Sequence, residues 1–130
     1  PLVQHELQRA EDALVWELHR LRLGDGEPVS LQWSYVPCSR APDLDDYDLS
    51  GSLYYILRNE YGIFLDRADQ VIRARSATDV EAELLDIDEG DPLFVIMRTS
   101  YDDSGEPVEY VNALWRGDRY DLHVRLSGTC

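Results

Sequence analysis

Residues 91–120 read DPLFVIMRTSYDDSGEPVEYVNALWRGDRY, and this stretch decides the fold. An apolar run from Leu93 to Met97 passes into alternating residues ending at Tyr101. A polar turn, Asp102 to Pro107, separates it from a second β-rich run, Val108 to Trp115. Two such runs around a Gly-containing turn predict a β-hairpin. Successive strand side chains point to opposite faces, so Glu109, Val111, Ala113 and Trp115 share one face. Val108, Tyr110, Asn112 and Leu114 take the other.

Working outward, Leu14 to Leu23 (LVWELHRLRL) alternates as well. Leu14, Trp16, Leu18, Arg20 and Arg22 fall on one face, and Val15, Glu17, His19, Leu21 and Leu23 on the other. Gly24-Asp25-Gly26 is a tight turn, and Pro28 to Val36 completes a second hairpin. A two-residue loop, Asp25-Gly26, would set Gln32 opposite His19. A three-residue loop, Gly24 to Gly26, would set it opposite Leu18 on the face of Arg20 and Arg22. Asp25-Gly26-Glu27-Pro28-Val29 echoes Ser104-Gly105-Glu106-Pro107-Val108, each at a hairpin turn.

Pro1 to Ala13 is a short helix or a linker. After the loop from Pro37 to Leu49, Ser52 is a good N-cap for a helix with apolar Leu53, Ile56 and Leu57, and Gly62 a good residue to end it. Ile63 to Ala77 reads as a long strand with a break near Arg67. Thr78 with Glu81 forms a capping box before a helix whose expected apolar stripe is Val80, Leu84 and Leu85. A final short strand is expected at Leu122 to Leu126. The sum is an α+β fold with an antiparallel β-sheet and flanking helices.

At 130 residues with 44% hydrophobic content, one domain with a real core is expected. The 26 Asp and Glu against 12 Lys and Arg give a net charge of −14. Such a field repels phosphate backbones, so this chain by itself is not expected to read nucleic acid. No run has the length or apolarity of a membrane helix and no signal peptide is visible, so no membrane partner is expected. Cys38 and Cys130 lie outside any CxxC pattern, which fits a reducing, cytoplasmic compartment without excluding one disulfide.

Three groups of residues carry possible binding chemistry. Arg20 and Arg22 send two guanidiniums from one strand face, suited to a phosphate or carboxylate; solvated surface cations are the alternative. Ser52 with the amides of Leu53 and Tyr54 opens a helix, where anions bind; simple capping is the alternative. Glu109 beside Trp115 pairs a hydrogen-bonding carboxylate with a stacking ring, as in sugar pockets; packing of the indole is the alternative. His5, His19 and His123 are dispersed, so no metal site is expected. No nucleophile motif or phosphate-binding glycine loop points to catalysis or a cofactor. Arg116-Gly117-Asp118 is read as a structural turn.

The run from Gly90 to Tyr120 resembles the closing half of the UTRA domain, the effector-binding domain of bacterial GntR-type (HutC subfamily) transcription regulators. Gly90-Asp91-Pro92, Gly105 to Glu109 and Trp115 to Tyr120 carry its pattern. Upstream, His19 to Arg22, Ser34 to Pro37, Ser50 to Tyr54 and the Gln70 strand before the Thr78 to Leu85 helix are similar too. The resemblance runs from about Ala13 to Leu126.

This resemblance implies a chorismate-lyase-like fold with a ligand pocket rather than an active site. It implies that Arg20, Arg22, Ser52 and Tyr54 hold a phosphate and Glu109 holds sugar hydroxyls. Two positions depart from sugar-phosphate-responsive members: Gln32 stands in place of Glu, and Trp115 in place of Tyr. If the likeness holds, Gln32 belongs on the Arg20/Arg22 face, which favours the three-residue turn. The expected ligand-binding set is therefore Arg20, Arg22, Gln32, Ser52, Leu53, Tyr54, Glu109 and Trp115.

The expected function is sensing of a small anionic metabolite by a homodimer, with DNA bound only through an N-terminal winged helix-turn-helix not present in residues 1–130. Two alternatives stand beside it: a chorismate-lyase-like enzyme, and a dimerisation module with a vestigial pocket.

Overall fold

The structure is a computed structural model that describes residues 2–128. The elements in order are α1 (Leu2–Glu6), β1 (Val15–Gly24), β2 (Glu27–Pro37), a 3-10 turn at Leu44–Asp46, α2 (Leu53–Tyr61), β3 (Leu65–Ser76), α3 (Asp79–Leu85), β4 (Pro92–Asp102), β5 (Pro107–Arg116) and a 3-10 turn at Gly117–Arg119. The five strands form one antiparallel sheet in the order β1-β2-β5-β4-β3. This is the expected α+β architecture.

The caps explain where the helices lie. The Ser52 hydroxyl accepts from the Tyr55 amide, and Gly62 ends α2 at φ 65°, a conformation that suits glycine. Thr78 and Glu81 form the reciprocal capping box of α3. α2 packs on one sheet face, where Leu53, Ile56 and Leu57 meet Leu18, Val36 and Val108. α3 packs on the other, where Ala82 and Leu85 meet Leu31, Leu93 and Leu114. The sheet is thus covered on both sides, with α2 standing over the face that carries Arg20 and Glu109.

Both hairpins contain the same irregularity. In the first, Gly24 pairs with Glu27 and Leu23 with Pro28, but Arg22 pairs with Ser30. In the second, Tyr101 pairs with Pro107 but Ser100 with Glu109. One extra residue, Val29 or Val108, is bulged out directly after the proline of each Gly-Glu-Pro-Val echo. Proline has no N–H to give the ladder, so pairing is interrupted where it sits.

This corrects the expected register. The turn is the two-residue one, with Asp25 at φ 53° and Gly26 at φ 81°, as a type I′ turn requires. The Val29 bulge then moves Gln32 opposite Arg20 rather than His19 or Leu18. Gln32 still shares the Arg20/Arg22 face, but a bulge puts it there rather than a three-residue loop.

Two further expectations are corrected. Residues Leu122 to Leu126 form no strand; Leu122, Val124 and Leu126 alternate but pair with no strand, and all three are exposed. In α3 the buried residues are Ala82 and Leu85, while Val80 and Leu84 are 63% and 51% exposed. Ala82 and Leu85, three apart, lie on the side of the helix turned to the sheet, and Val80 and Leu84 lie on the side turned away from it. The break in β3 occurs where expected, between Leu65 and Arg67. The segment before β1 contains a short helix, with Leu7 buried behind it. Cys38 is half-buried and has no disulfide partner among the described residues; any pairing with Cys130 lies outside them.

Candidate functional site

A cavity of about 200 Å³ lies between the sheet and the start of α2. Its lining includes all eight residues selected from the sequence: Arg20, Arg22, Gln32, Ser52, Leu53, Tyr54, Glu109 and Trp115. Ser34, Arg98 and Val111 complete it. The register explains the convergence. Arg20 faces Gln32 across β1 and β2, Gln32 faces Ala113 on β5, and Val111 faces Arg98 on β4. Directly opposed residues share a face, so four strands contribute to one wall.

At one end stand the two arginines and the helix start. Arg20 Nη1 donates to the Gly51 carbonyl at 3.3 Å, which ties β1 to the loop entering α2. Burial, and then repulsion by Arg22, pull the Arg20 guanidinium below its ordinary range. An anion between them would relieve that repulsion. The Ser52 hydroxyl is engaged by the Tyr55 amide at 3.3 Å. The preceding amides, those of Leu53 and Tyr54, have no partner one turn earlier in the helix.

At the centre lies Glu109, only 1% exposed. Burial raises its pKa, opposed by the Tyr54 hydroxyl and by the charges of Arg98 and Arg20. The same surroundings push the Tyr54 hydroxyl up to about 12, through burial first and the Glu109 carboxylate second. Trp115 closes one side, its ring 5.4 Å from that of Tyr120.

Six buried side-chain polar atoms have no hydrogen-bond partner among the described residues, and four line this cavity: Arg20 Nε, Ser34 Oγ, Arg98 Nε and Glu109 Oε1. Buried polar groups are otherwise almost always satisfied, because each unpaired one costs about 1–3 kcal/mol. Four of the six therefore gather on one wall of one cavity.

The sequence reading missed Arg98 and Ser34. Arg98 sits at the end of an apolar run, where hydrophobicity does not distinguish one face of the strand from the other. Pairing Arg98 with Val111 puts it on the Glu109 face, but only once the bulge at Val108 is known. Arg116-Gly117-Asp118, by contrast, is used up internally. Arg116 donates from Nε and Nη2 to the Asp118 carboxylate at 3.0 and 2.8 Å. A Cβ on Gly117 would meet the Pro92 carbonyl oxygen at 2.7 Å. Among the described residues no group of three His, Cys, Asp or Glu side chains could hold a metal ion. No helix among them is long and apolar enough to cross a membrane.

Comparison with known proteins places this geometry in context. The family model described as the UTRA domain matches residues 1–121. The HTH-type transcriptional repressor NagR of Bacillus subtilis is 31% identical over 106 residues, covering 82% of this chain and 44% of that protein. The HTH-type transcriptional repressor PhnF of Mycolicibacterium smegmatis is 35% identical over 108 residues, again covering 82% and 44%. The crystal structure of the effector domain of PhnF from Mycobacterium smegmatis superposes with a TM-score of 0.90 at 31% identity, over 96% of this chain and 77% of that one. The chain therefore spans less than half the length of these curated relatives, and it belongs to the UTRA domain family, the effector-binding domains of GntR-type transcription regulators.

Proposed function

We propose that residues 1–130 act as one sensing domain of a longer regulator, and that the molecule sensed is a small anionic metabolite. The anion docks between Arg20, Arg22 and the start of α2. Glu109 accepts hydrogen bonds from hydroxyls of the rest of the ligand, with Gln32 and Trp115 shaping that part of the pocket. One observation carries this reading: the orphaned polar atoms of Arg20, Ser34, Arg98 and Glu109 converge on a single cavity beside a cationic pair and a helix start.

Binding then biases the arrangement of a homodimer in the cytoplasm, and so the placement of DNA-binding domains carried elsewhere in the protein. The net charge of −14 agrees with DNA being contacted by another part of the molecule. NagR and PhnF are both named as HTH-type repressors, which supports this division of labour. The domain is read as a sensor and not as an enzyme.

A thermal-shift screen of sugar phosphates and small carboxylates is the test. At least one anion is expected to raise the melting temperature of the wild type and to have no effect on an Arg20→Ala/Arg22→Ala double variant. Equal responses in the two proteins would place the anion site elsewhere.

A further inference from the structure

The geometry points to a second acidic-group subsite at Arg98, so that the ligand is a phosphorylated hydroxy-acid rather than a simple sugar phosphate. The inference rests on the anion site proposed above and names what occupies the opposite end of the same pocket.

Arg98 lies on β4 and Arg20 on β1, three strand spacings apart in the order β1-β2-β5-β4, or about 14 Å between backbones. Both side chains reach into one cavity from opposite ends, with Glu109 between them. Arg98 Nη1 donates to Gln70 Oε1 at 3.3 Å, from the residue directly opposite on β3. Gln70 thus holds the guanidinium in place through one of its five N–H groups. Arg98 Nε is buried and has no partner among the described residues. Its charge acts on Glu109, yet no Arg98–Glu109 ion pair forms within 4.0 Å among the described residues. The two groups are therefore separate binding elements and not a closed salt bridge.

With only Nη1 engaged and Nε unpartnered, the Nε/Nη2 edge of the guanidinium is the one that can receive a carboxylate with two parallel hydrogen bonds. Arg98 also borders a second hollow, lined with Tyr54, Asp66, Arg67 and Ser100. Arg98 and Tyr54 thus stand between the main cavity and this second hollow. Asp66 and Arg67 on that rim offset one another. A phosphate at Arg20/Arg22, hydroxyls at Glu109 and a carboxylate at Arg98 follow the order of groups along the wall.

The test uses the 130-residue chain and three matched pairs of increasing length: glycerol 3-phosphate with 3-phosphoglycerate, erythrose 4-phosphate with 4-phosphoerythronate, and glucose 6-phosphate with 6-phosphogluconate. Members of a pair differ at the end remote from the phosphate. Affinities are read by calorimetry on the wild type, Arg98→Met and Arg20→Ala/Arg22→Ala. In at least one pair the acid is expected to bind about tenfold or more tightly than its partner. Arg98→Met is expected to weaken the acid far more than its partner and so to erase that preference. No preference in any pair, or equal weakening of both members by Arg98→Met, overturns the subsite and leaves the phosphate site standing. Should no member bind the wild type better than the double variant, both readings fall. If Arg98→Met does not fold, Gln70→Leu releases the guanidinium while keeping its charge. A preference that shrinks in Gln70→Leu then supports the subsite, and an undiminished one counts against it.

Discussion

Replacing Glu109 with glutamine should make the ligand-free protein more stable and a poorer binder, and the two effects have one cause. The carboxylate is 1% exposed and its Oε1 has no partner among the described residues. Leaving such a group buried costs about 1–3 kcal/mol. Attraction to Arg98 and Arg20 offsets part of this, but burial prevails, because the folded-state pKa lies above the ordinary 4.5. The amide keeps the shape and removes the charge while leaving a polar atom unpaired, so a gain near the lower limit, about 1 kcal/mol, is expected. For a domain of this size that raises the melting temperature by about 3–5 °C at pH 7.5. The pH dependence follows from linkage. A carboxyl whose folded pKa is raised stays protonated longer in the folded state than in the unfolded state. The penalty of its ionisation is absent below pH 4.5, grows as pH rises from there towards the raised folded value, and is complete above it. The Glu109→Gln advantage should therefore vanish below pH 4.5 and grow as pH rises above it. Scanning calorimetry across that range measures it. A variant less stable than wild type at pH 7.5, or an advantage that does not change with pH, would refute the claim that burial dominates at this residue. Loss of a charged acceptor should also weaken binding of a hydroxylated anion by about tenfold or more.

Two other predictions concern the frame around the site. Leu85 is fully buried where α3 meets the sheet, so Leu85→Ala should cost about 2–5 kcal/mol in urea unfolding, whereas Leu84→Ala, at a half-exposed position, should cost far less. Glu81 donates nothing but accepts from Arg75 and from the Thr78 amide, and the Arg75 contact above all pulls its carboxyl down to about 2. Its contribution is present above pH 4.5 and lost as pH falls through about 2, so Glu81→Gln should flatten the acid limb of the stability profile between those values.

The site was legible in the sequence to the extent that strand alternation and helix capping determine it. Arg20 and Arg22 share a face because they stand two apart in a strand. Glu109 and Trp115 share one for the same reason. Ser52 opens a helix because its hydroxyl caps an amide that would otherwise have no partner. These are local relations, set by neighbours along the chain. The likeness to UTRA domains joined the three groups into one expected pocket, which alternation alone does not do.

Bulges and contacts distant in sequence lay beyond that reach. Whether Gln32 opposes His19, Leu18 or Arg20 depends on one extra residue after Pro28. The repeated Gly-Glu-Pro-Val echo marked both places, but the loss of pairing at a proline has no effect on register until a partner strand exists. Arg98 was hidden for the same reason, since its face is defined only by pairing with Val111 across the second bulge. Residues Leu122 to Leu126 have strand periodicity but are not paired, and alternation cannot supply a neighbour. Val80 and Leu84 have helical spacing, but the side of α3 that meets the sheet is the opposite one, carrying Ala82 and Leu85.

By itself, then, the sequence determined the five strands of the sheet and the two capped helices, where two hairpins turn, and which side chains of β1 and β5 leave their strand together. Those properties follow from backbone geometry and nearest neighbours. Only the tertiary structure decided that Arg20, Glu109, Arg98 and the start of α2 enclose one cavity and leave buried polar atoms facing it. That outcome depends on strand order, on two single-residue bulges and on which sheet face α2 covers, all of which are fixed by burial of surface between segments far apart in the chain.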